Sequence, residues 1–195
     1  MTVLQYVKES KDSRLLLLGI SEEGESANYT VDPDTYDAVG FPEAGKMLDE
    51  GQMEIIRRND EYFRAKKMAL SSLAYSDKSR RKLFLKLISE GFDREISGEV
   101  VDEMTALGYI DEKRQIDRQI LRFANEGLYG PVKIMSSLVS KGYSIEQIKS
   151  RIVALTDAGE LDFEKNKELL LEKRLRNPKD ENERKKILFY KGYKL

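Results

Sequence analysis

Three arginines on a predicted helix are the clearest candidate binding feature of the sequence. Arg114, Arg118 and Arg122 follow one another at i, i+4 and i+8, which places their cationic side chains on one helix face. Each pair of like charges at this spacing destabilises an isolated helix by roughly a few tenths of a kcal/mol. Either nearby carboxylates such as Asp111 and Asp117 offset that repulsion, or an anionic partner does. A face that is merely solvated is the competing interpretation, since surface charge also serves solubility.

Further basic residues extend this candidate surface along the chain. Residues 1–60 contain 6 basic and 13 acidic side chains, whereas residues 130–195 contain 15 basic and 10 acidic ones. This asymmetry favours an oriented encounter with a charged partner. The basic residues that we assign to a partner-binding surface are Arg80, Arg81, Lys82, Arg114, Arg118, Arg122, Lys133, Arg174, Arg176, Lys185 and Lys186.

The residue types argue for binding rather than catalysis. The chain has no histidine and no cysteine, which removes the commonest general base, the thiol nucleophile and the usual zinc ligands. A pair of glycines, Gly127 and Gly130, stands before Lys133, but the spacing is not that of a phosphate-binding loop, and Pro131 suits the first position of a helix. We therefore assign no catalytic residue, no metal site and no cofactor, and we expect the protein not to be an enzyme.

The elements that must position these residues begin with an extended region. The segments Val3–Val7, Arg14–Ile20 and Ala27–Val31 are apolar and are separated by polar turn residues, which predicts a small antiparallel sheet. The apolar spacing then becomes helical from Met47 to Ala74, with Asn59 as a candidate break.

An internal repeat of about 51 residues occupies the rest of the chain. Its landmarks are a leucine and a glycine four residues apart, followed by an aromatic residue: Leu87, Gly91 and Phe92; Leu138, Gly142 and Tyr143; Leu188, Gly192 and Tyr193. A second landmark ends in an aspartate, Asp111 in one copy and Asp162 in the next. Helical apolar spacing between the landmarks predicts three helices in each copy.

The landmarks have local structural roles. The three glycines stand where a helix ends and the chain needs a positive φ, which glycine adopts most readily. Four polar residues near the landmarks are predicted N-caps, which accept hydrogen bonds from free backbone N–H groups at a helix start: Asp93, Asp111, Ser144 and Asp162. Ser144 and Gln147 also have the spacing of a capping box.

These observations predict a mostly α-helical protein. We expect tandem three-helix repeats stacked in an elongated curved array, with a small N-terminal antiparallel β segment. The predicted divisions are residues 1–76, 77–127 and 128–178, followed by a truncated third repeat at residues 179–195. No apolar run is long enough to span a membrane and no signal peptide is present, so we expect a cytoplasmic protein. We also expect it to be a monomer.

The turn Gly108-Tyr109-Ile-Asp111-Glu112, followed by Gly130-Pro131 and by Leu138-x-x-Lys141-Gly142, resembles the pattern of the RecX family of recombinase regulators. The resemblance extends over nearly the whole chain. It assigns structural roles in the repeat to Gly91, Gly108, Tyr109, Asp111, Gly130, Pro131, Leu138, Lys141 and Gly142.

The resemblance implies a bacterial regulatory protein of DNA repair, recombination and the SOS response. Such a protein binds the RecA recombinase, or its filament on single-stranded DNA, and mostly inhibits ATP hydrolysis and strand exchange. Weak direct DNA binding stays open. Two other functions fit the sequence: a helical module that binds DNA by itself, and an adaptor for an unrelated protein. Charge reversal at Arg118 and Arg122 is expected to weaken inhibition without unfolding the protein.

Overall fold

The computed structural model describes residues 1–10, 14–175 and 180–194. Within these residues the strands are β1 (Thr2–Glu9), β2 (Leu16–Glu22) and β3 (Glu25–Val31). The helices are α1 (Pro33–Ala38), α2 (Glu50–Tyr75), α3 (Arg80–Ser89), α4 (Arg94–Ala106), α5 (Glu112–Leu121), α6 (Pro131–Ser140), α7 (Ile145–Asp157), α8 (Phe163–Arg174) and α9 (Glu181–Lys191). A π-helical turn, Arg122–Glu126, continues α5.

The mostly helical class, the successive three-helix repeats and the small N-terminal antiparallel sheet are confirmed. The elongated, curved form of the array and the repeat boundaries stay predictions. None of the helices in the described part of the chain combines the length and apolarity that crossing a membrane requires. The chain divides into two compact units, one of residues 1–75 and 84–104, the other of residues 76–83 and 105–194, of which 176–179 are not described.

The sheet of the first unit has strand order β1-β2-β3, all antiparallel. Glu23 and Gly24 both have positive φ, 52° and 93°, which is the backbone of the two-residue hairpin turn that suits twisted strands. Across β1 and β2, the ring of Tyr6 lies over Gly19, where a Cβ would stand 2.3 Å from the Tyr6 Cε1 atom. The close packing of the Tyr6 ring, rather than φ, therefore favours glycine at this point of β2.

Helix α2 differs from the prediction in its start and its continuity. It begins at Glu50, while Met47 forms an isolated β-bridge with Val3. The candidate break at Asn59 is wrong, since the helix runs through this residue to Tyr75. The Asn59 side chain bonds to Asp32, accepting from its backbone N–H at 3.0 Å and donating to its carboxylate at 3.2 Å. Because these bonds lead away from α2, the amide does not compete with the helix backbone.

The core of the first unit joins one face of the sheet to the first turns of α2. It consists of Leu4, Leu18, Ile20, Val31, Val39, Leu48, Met53 and Ile56. A buried carboxylate, Asp60, fixes the sheet to the helix because it accepts from the Thr30 backbone N–H at 2.8 Å. The same carboxylate forms an ion pair with Arg64 at 2.9 Å.

The predicted helix ends are confirmed in each repeat. Gly91, Gly142 and Gly192 have φ values of 90°, 91° and 82°. The predicted caps are also confirmed, since a side-chain oxygen of each accepts a backbone N–H in the next helix: Asp93, Asp111, Ser144 and Asp162. Ser144 forms the capping box with Gln147, and Pro131 occupies the first turn of α6. Each of these features depends only on neighbouring residues.

Two apolar clusters lie among the described residues of the second unit. The first lies among α5, α6 and α7 and consists of Ile116, Ile120, Ala124, Ile134, Leu138, Tyr143, Ile148, Leu155 and Leu161. The second joins α8 and α9 through Leu128, Leu170, Leu171, Leu188 and Tyr193. These clusters hold the helices that carry the candidate binding residues.

Candidate partner-binding surface

The start of α3 packs against the turn between α6 and α7. The Ser79 hydroxyl donates to the Lys141 carbonyl oxygen at 2.8 Å, across 62 residues of sequence, and accepts from the Lys82 backbone N–H at 3.2 Å. At Gly142 an added Cβ would stand 2.6 Å from the Ser79 Oγ atom. Glycine at this motif position therefore serves two purposes, the positive φ and the close approach of α3.

This packing brings four cationic residues together, which we call the junction cluster: Arg81, Lys82, Arg122 and Lys141. Lys82 Cγ and Arg81 Cβ lie 3.3 and 3.5 Å from the position that a Cβ on Gly142 would take. The Arg122 guanidinium and the Lys141 ammonium lie 5.3 and 5.2 Å from the centre of the Phe123 ring. Three separate segments, the start of α3, the π-helical turn and the α6–α7 turn, thus supply one positively charged area.

The pKa of Lys141 reflects the concentration of positive charge in the junction cluster. Burial lowers the pKa of Lys141, and the nearby Arg122 guanidinium lowers it further. The Lys141 ammonium donates to the side-chain oxygen of Gln119. None of the four cations forms an ion pair with a carboxylate in the described residues. An anion that reached this area would therefore relieve repulsion that the chain itself leaves in place.

Beneath the cluster, a buried polar network connects α5 to the α6–α7 turn. The Tyr143 hydroxyl donates to the Gln115 side-chain oxygen at 2.9 Å, and the Gln119 amide donates to the same hydroxyl at 3.3 Å. Burial raises the pKa of Tyr143, and the carboxylates of Glu112 and Asp77 raise it further. The hydroxyl therefore stays protonated at neutral pH and orients the residues under the junction cluster.

Two of the predicted binding arginines are partly engaged within the unit. The Arg118 guanidinium forms an ion pair with Asp77, and the Arg80 guanidinium donates to the Thr105 hydroxyl at 2.7 Å. Asp117, which the sequence offered as a compensating acid, instead binds Arg151 through two hydrogen bonds of 2.6 and 2.8 Å. The compensation for Arg118 therefore comes from the segment before α3, a source that the helix spacing could not indicate.

A second junction repeats the first one about 51 residues further along the chain. The Gly130 backbone N–H donates to the Lys191 carbonyl oxygen at 2.7 Å, and a Cβ on Gly192 would stand 2.5 Å from Lys133 Cβ. The Lys191 and Lys133 ammonium groups lie 4.3 and 5.8 Å from the centre of the Tyr129 ring. Both junctions thus place lysines over an aromatic ring, although Phe123 and Tyr129 are not equivalent positions of the repeat.

The remaining predicted residues occupy separate positions. Arg114, Arg174, Lys185 and Lys186 are exposed, but no contact joins them to the junction cluster. Arg176 lies outside the described residues. Among the motif residues, Leu138 is fully buried and Gly130 is buried, whereas the Tyr109 side chain is 55% exposed. Of the eleven predicted basic residues, the junction cluster therefore contains three, Arg81, Lys82 and Arg122.

Sequence reasoning missed several residues that build the junction, including Ser79, Gln115, Gln119 and Asp77. One signal was present for Ser79, because a serine directly before a helix is a favoured N-cap. The repeat also aligns Ser79 with Gly130, whose structural role was predicted. No local sequence pattern could indicate the roles of Gln115 and Gln119, because their hydrogen-bond partner, Tyr143, belongs to the next repeat.

The comparisons with known proteins agree with this architecture. The regulatory protein RecX of Clostridium tetani (strain Massachusetts / E88) is 30% identical over 155 residues, which cover 76% of this chain and 70% of that protein. The chain belongs to the RecX family. The regulatory protein RecX of Clostridioides difficile (strain 630) is 29% identical over 155 residues, covering 76% of this chain and 71% of that protein. These RecX relatives are named as regulatory proteins rather than as enzymes.

Solved RecX structures share the fold. A crystal structure of regulatory protein RecX matches with a TM-score of 0.74 at 19% identity, covering 100% of this chain and 95% of that chain. The crystal structure of RecX from Lactobacillus salivarius matches with a TM-score of 0.57 at 22% identity, covering 69% of this chain and 90% of that chain. No protein-family model matches the chain.

Proposed function

We propose that this RecX-family protein binds the RecA recombinase on single-stranded DNA and limits its ATP hydrolysis and strand exchange. The observation that carries the proposal is the junction cluster, in which cations from three segments converge without carboxylate partners in the described residues. Membership of a family of regulatory proteins supports a binding role. The sequence resemblance supplies the identity of the partner.

The mechanism that we infer is electrostatic docking. The junction cluster offers guanidinium and ammonium groups to carboxylates on the filament surface or to phosphates of the bound DNA. Arg81, Lys82 and Arg122 supply the charge, while Ser79 and Gly142 fix their relative positions. A protein held on the filament in this way would oppose the rearrangements on which ATP hydrolysis and strand exchange depend. No group of this chain would take part in the chemistry itself.

The test is RecA-dependent ATP hydrolysis on single-stranded DNA, titrated with this protein. Wild-type protein should suppress hydrolysis at amounts below one molecule per RecA. The double variant Lys82→Glu with Arg122→Glu should need at least about tenfold more protein for half-inhibition, because two favourable contacts become repulsive. These residues suit the test better than Arg118, since reversal at Arg118 would also break its ion pair with Asp77.

The matched control is the double variant Lys149→Glu with Lys165→Glu. Both residues are exposed in the same unit and lie outside the junction cluster, so the net charge changes equally. Control protein should inhibit like the wild type. If both double variants inhibit like the wild type while remaining folded by circular dichroism, the junction cluster is not the binding surface. If wild-type protein never suppresses hydrolysis, the proposed function itself fails.

Binding to DNA alone separates the proposal from a direct DNA-binding module. Anisotropy of a labelled oligonucleotide, measured without RecA over a range of salt concentrations, should show weak binding. Tight binding that falls steeply with salt would instead indicate that the protein acts on DNA directly, because each neutralised phosphate releases counterions. If the protein binds neither DNA nor the filament, the result would favour the alternative function, an adaptor for an unrelated protein.

A further inference from the structure

The first unit contains a groove that the proposed function does not use. It lies between α2 and the neighbouring ends of β2 and β3 and has a volume of about 750 Å³. From the strand side it is lined by Arg14, Leu15 and Thr30. From α2 it is lined by Phe63, Arg64, Lys66, Lys67 and Leu70. Its size is within the range of about 300–1,000 Å³ that is usual for ligand sites.

The floor and the rim of the groove differ in character. Phe63, Lys67 and Leu70 stand at i, i+4 and i+7 of α2, so they share one helix face. Phe63, Leu70 and Leu15 are each half-buried, so apolar surface stays open in the floor. The charged lining side chains are all cationic. An apolar floor with a positive rim matches a ligand that is both apolar and acidic.

Two of the four lining cations form ion pairs with carboxylates, and the other two form none among the described residues. Arg64 pairs with Asp60 at 2.9 Å, and Lys66 pairs with Glu103 at 2.7 Å. The Arg14 and Lys67 side chains are exposed and pair with no carboxylate in the part of the chain that the structure describes. Asp60 also holds the Thr30 backbone at 2.8 Å, so the groove keeps its width through a buried contact. Among the described residues, the groove thus has two positive charges, on Arg14 and Lys67, that no carboxylate neutralises.

We propose that this groove binds an extended acidic peptide segment of a partner protein, with apolar side chains on the floor and carboxylates toward Arg14 and Lys67. In an extended chain, successive side chains point to opposite sides, so alternating acidic and apolar residues satisfy both parts of the groove. This site is independent of the junction cluster, because every lining residue belongs to the first unit.

A nucleic acid fits the same groove less well. The floor side chains are two leucines and one phenylalanine, which offer no hydrogen-bond partner for a base edge. Residues 1–60 contain 13 acidic and only 6 basic side chains, and this net negative charge opposes a strand with a charge on every nucleotide more than a peptide with fewer charges. A peptide of alternating acidic and apolar residues has a charge on only every second residue, so the same repulsion opposes it less.

The experiment uses the full chain and a short synthetic peptide of alternating Asp and Leu. Anisotropy of the labelled peptide gives the affinity, and amide chemical shifts of the ¹⁵N-labelled protein locate the site. We expect saturable binding, with shift changes concentrated at Leu15, Phe63 and Leu70. The double variant Arg14→Glu with Lys67→Glu should weaken binding at least about tenfold, while Lys46→Glu, which changes an exposed lysine outside the groove, should leave it unchanged.

Two control peptides test separately how the apolar floor and the cationic rim contribute to binding. A peptide with Ser in place of Leu, and one with Asn in place of Asp, should each bind at least about tenfold more weakly than the parent. The proposal is overturned if the Asp–Leu peptide fails to saturate, if the groove variant binds it like the wild type, or if oligothymidylate shifts the same amides at lower concentration. Because RecA is absent from these measurements, their outcome is separate from that of the hydrolysis assay.

Discussion

Tyr143→Phe and Tyr193→Phe remove the same hydroxyl from equivalent positions of two repeats and should change stability differently. Tyr143 is 4% exposed, and its hydroxyl bonds to Gln115 and Gln119. Tyr193 is 6% exposed, but its buried hydroxyl has no hydrogen-bond partner among the described residues. The repeat places Asn166 and Leu170 where the first junction has the two glutamines. Asparagine is one methylene shorter than glutamine and leucine has no polar group.

The expected magnitudes follow from these contacts. Tyr143→Phe leaves the Gln115 side chain, itself only 5% exposed, without a partner for its oxygen. An orphaned buried polar group costs about 1–3 kcal/mol, and we expect a loss of about 1–2 kcal/mol here because Gln119 keeps its bond to Lys141. Tyr193→Phe removes a hydroxyl that was already unsatisfied, so the free energy of unfolding should stay unchanged or rise slightly.

Urea unfolding followed by circular dichroism measures both effects. With a urea m-value of about 2–3 kcal/mol per M, the midpoint for Tyr143→Phe should fall by about 0.5 M at unchanged m. The midpoint for Tyr193→Phe should match or exceed that of the wild type. Equal decreases in the two variants, or a larger decrease for Tyr193→Phe, would refute the account of the buried network.

Three further predictions concern pH and glycine positions. Burial raises the pKa of Tyr193 to about 12, with Glu164 adding to the shift, so the folded state keeps a proton that the unfolded state loses near pH 10. Stability should therefore fall between pH 10 and about 12, and the urea midpoint of Tyr193→Phe should fall less over that range. Gly19→Ala should lower the free energy of unfolding by about 1–3 kcal/mol, because its Cβ would stand 2.3 Å from a Tyr6 ring carbon. Gly142→Ala should lower the melting temperature more than Gly91→Ala. The two glycines have nearly the same φ, 91° and 90°, so the backbone strain is equal, but of the two only Gly142 has a neighbour within 4 Å of the added Cβ.

The sequence could predict the candidate binding surface only in part. Helical spacing placed Arg118 and Arg122 on one face, and the structure keeps both exposed. Spacing could not show that Arg118 pairs with Asp77, or that Lys141 joins the candidate surface. Lys141 was identified as a motif residue of the repeat, and its basic role follows only from its proximity to Arg122. Contacts of this kind depend on how helices pack, which short-range spacing does not encode.

What the sequence determined by itself is the local structure and its repetition. Strand and helix periods, the caps at Asp111 and Ser144, and the positive φ of Gly91 and Gly142 all arise within a few residues, where backbone sterics and hydrogen bonding leave few alternatives.

The tertiary structure decided which residues meet across larger separations. Ser79 bonds to Lys141 across 62 residues, and the side chain of Asn59, inside the uninterrupted α2, bonds to Asp32. The groove likewise needs Arg14 and Lys67 on one side of the first unit. Such pairings depend on the packing of whole elements, in which many weak apolar contacts together select one arrangement, so no local pattern specifies them.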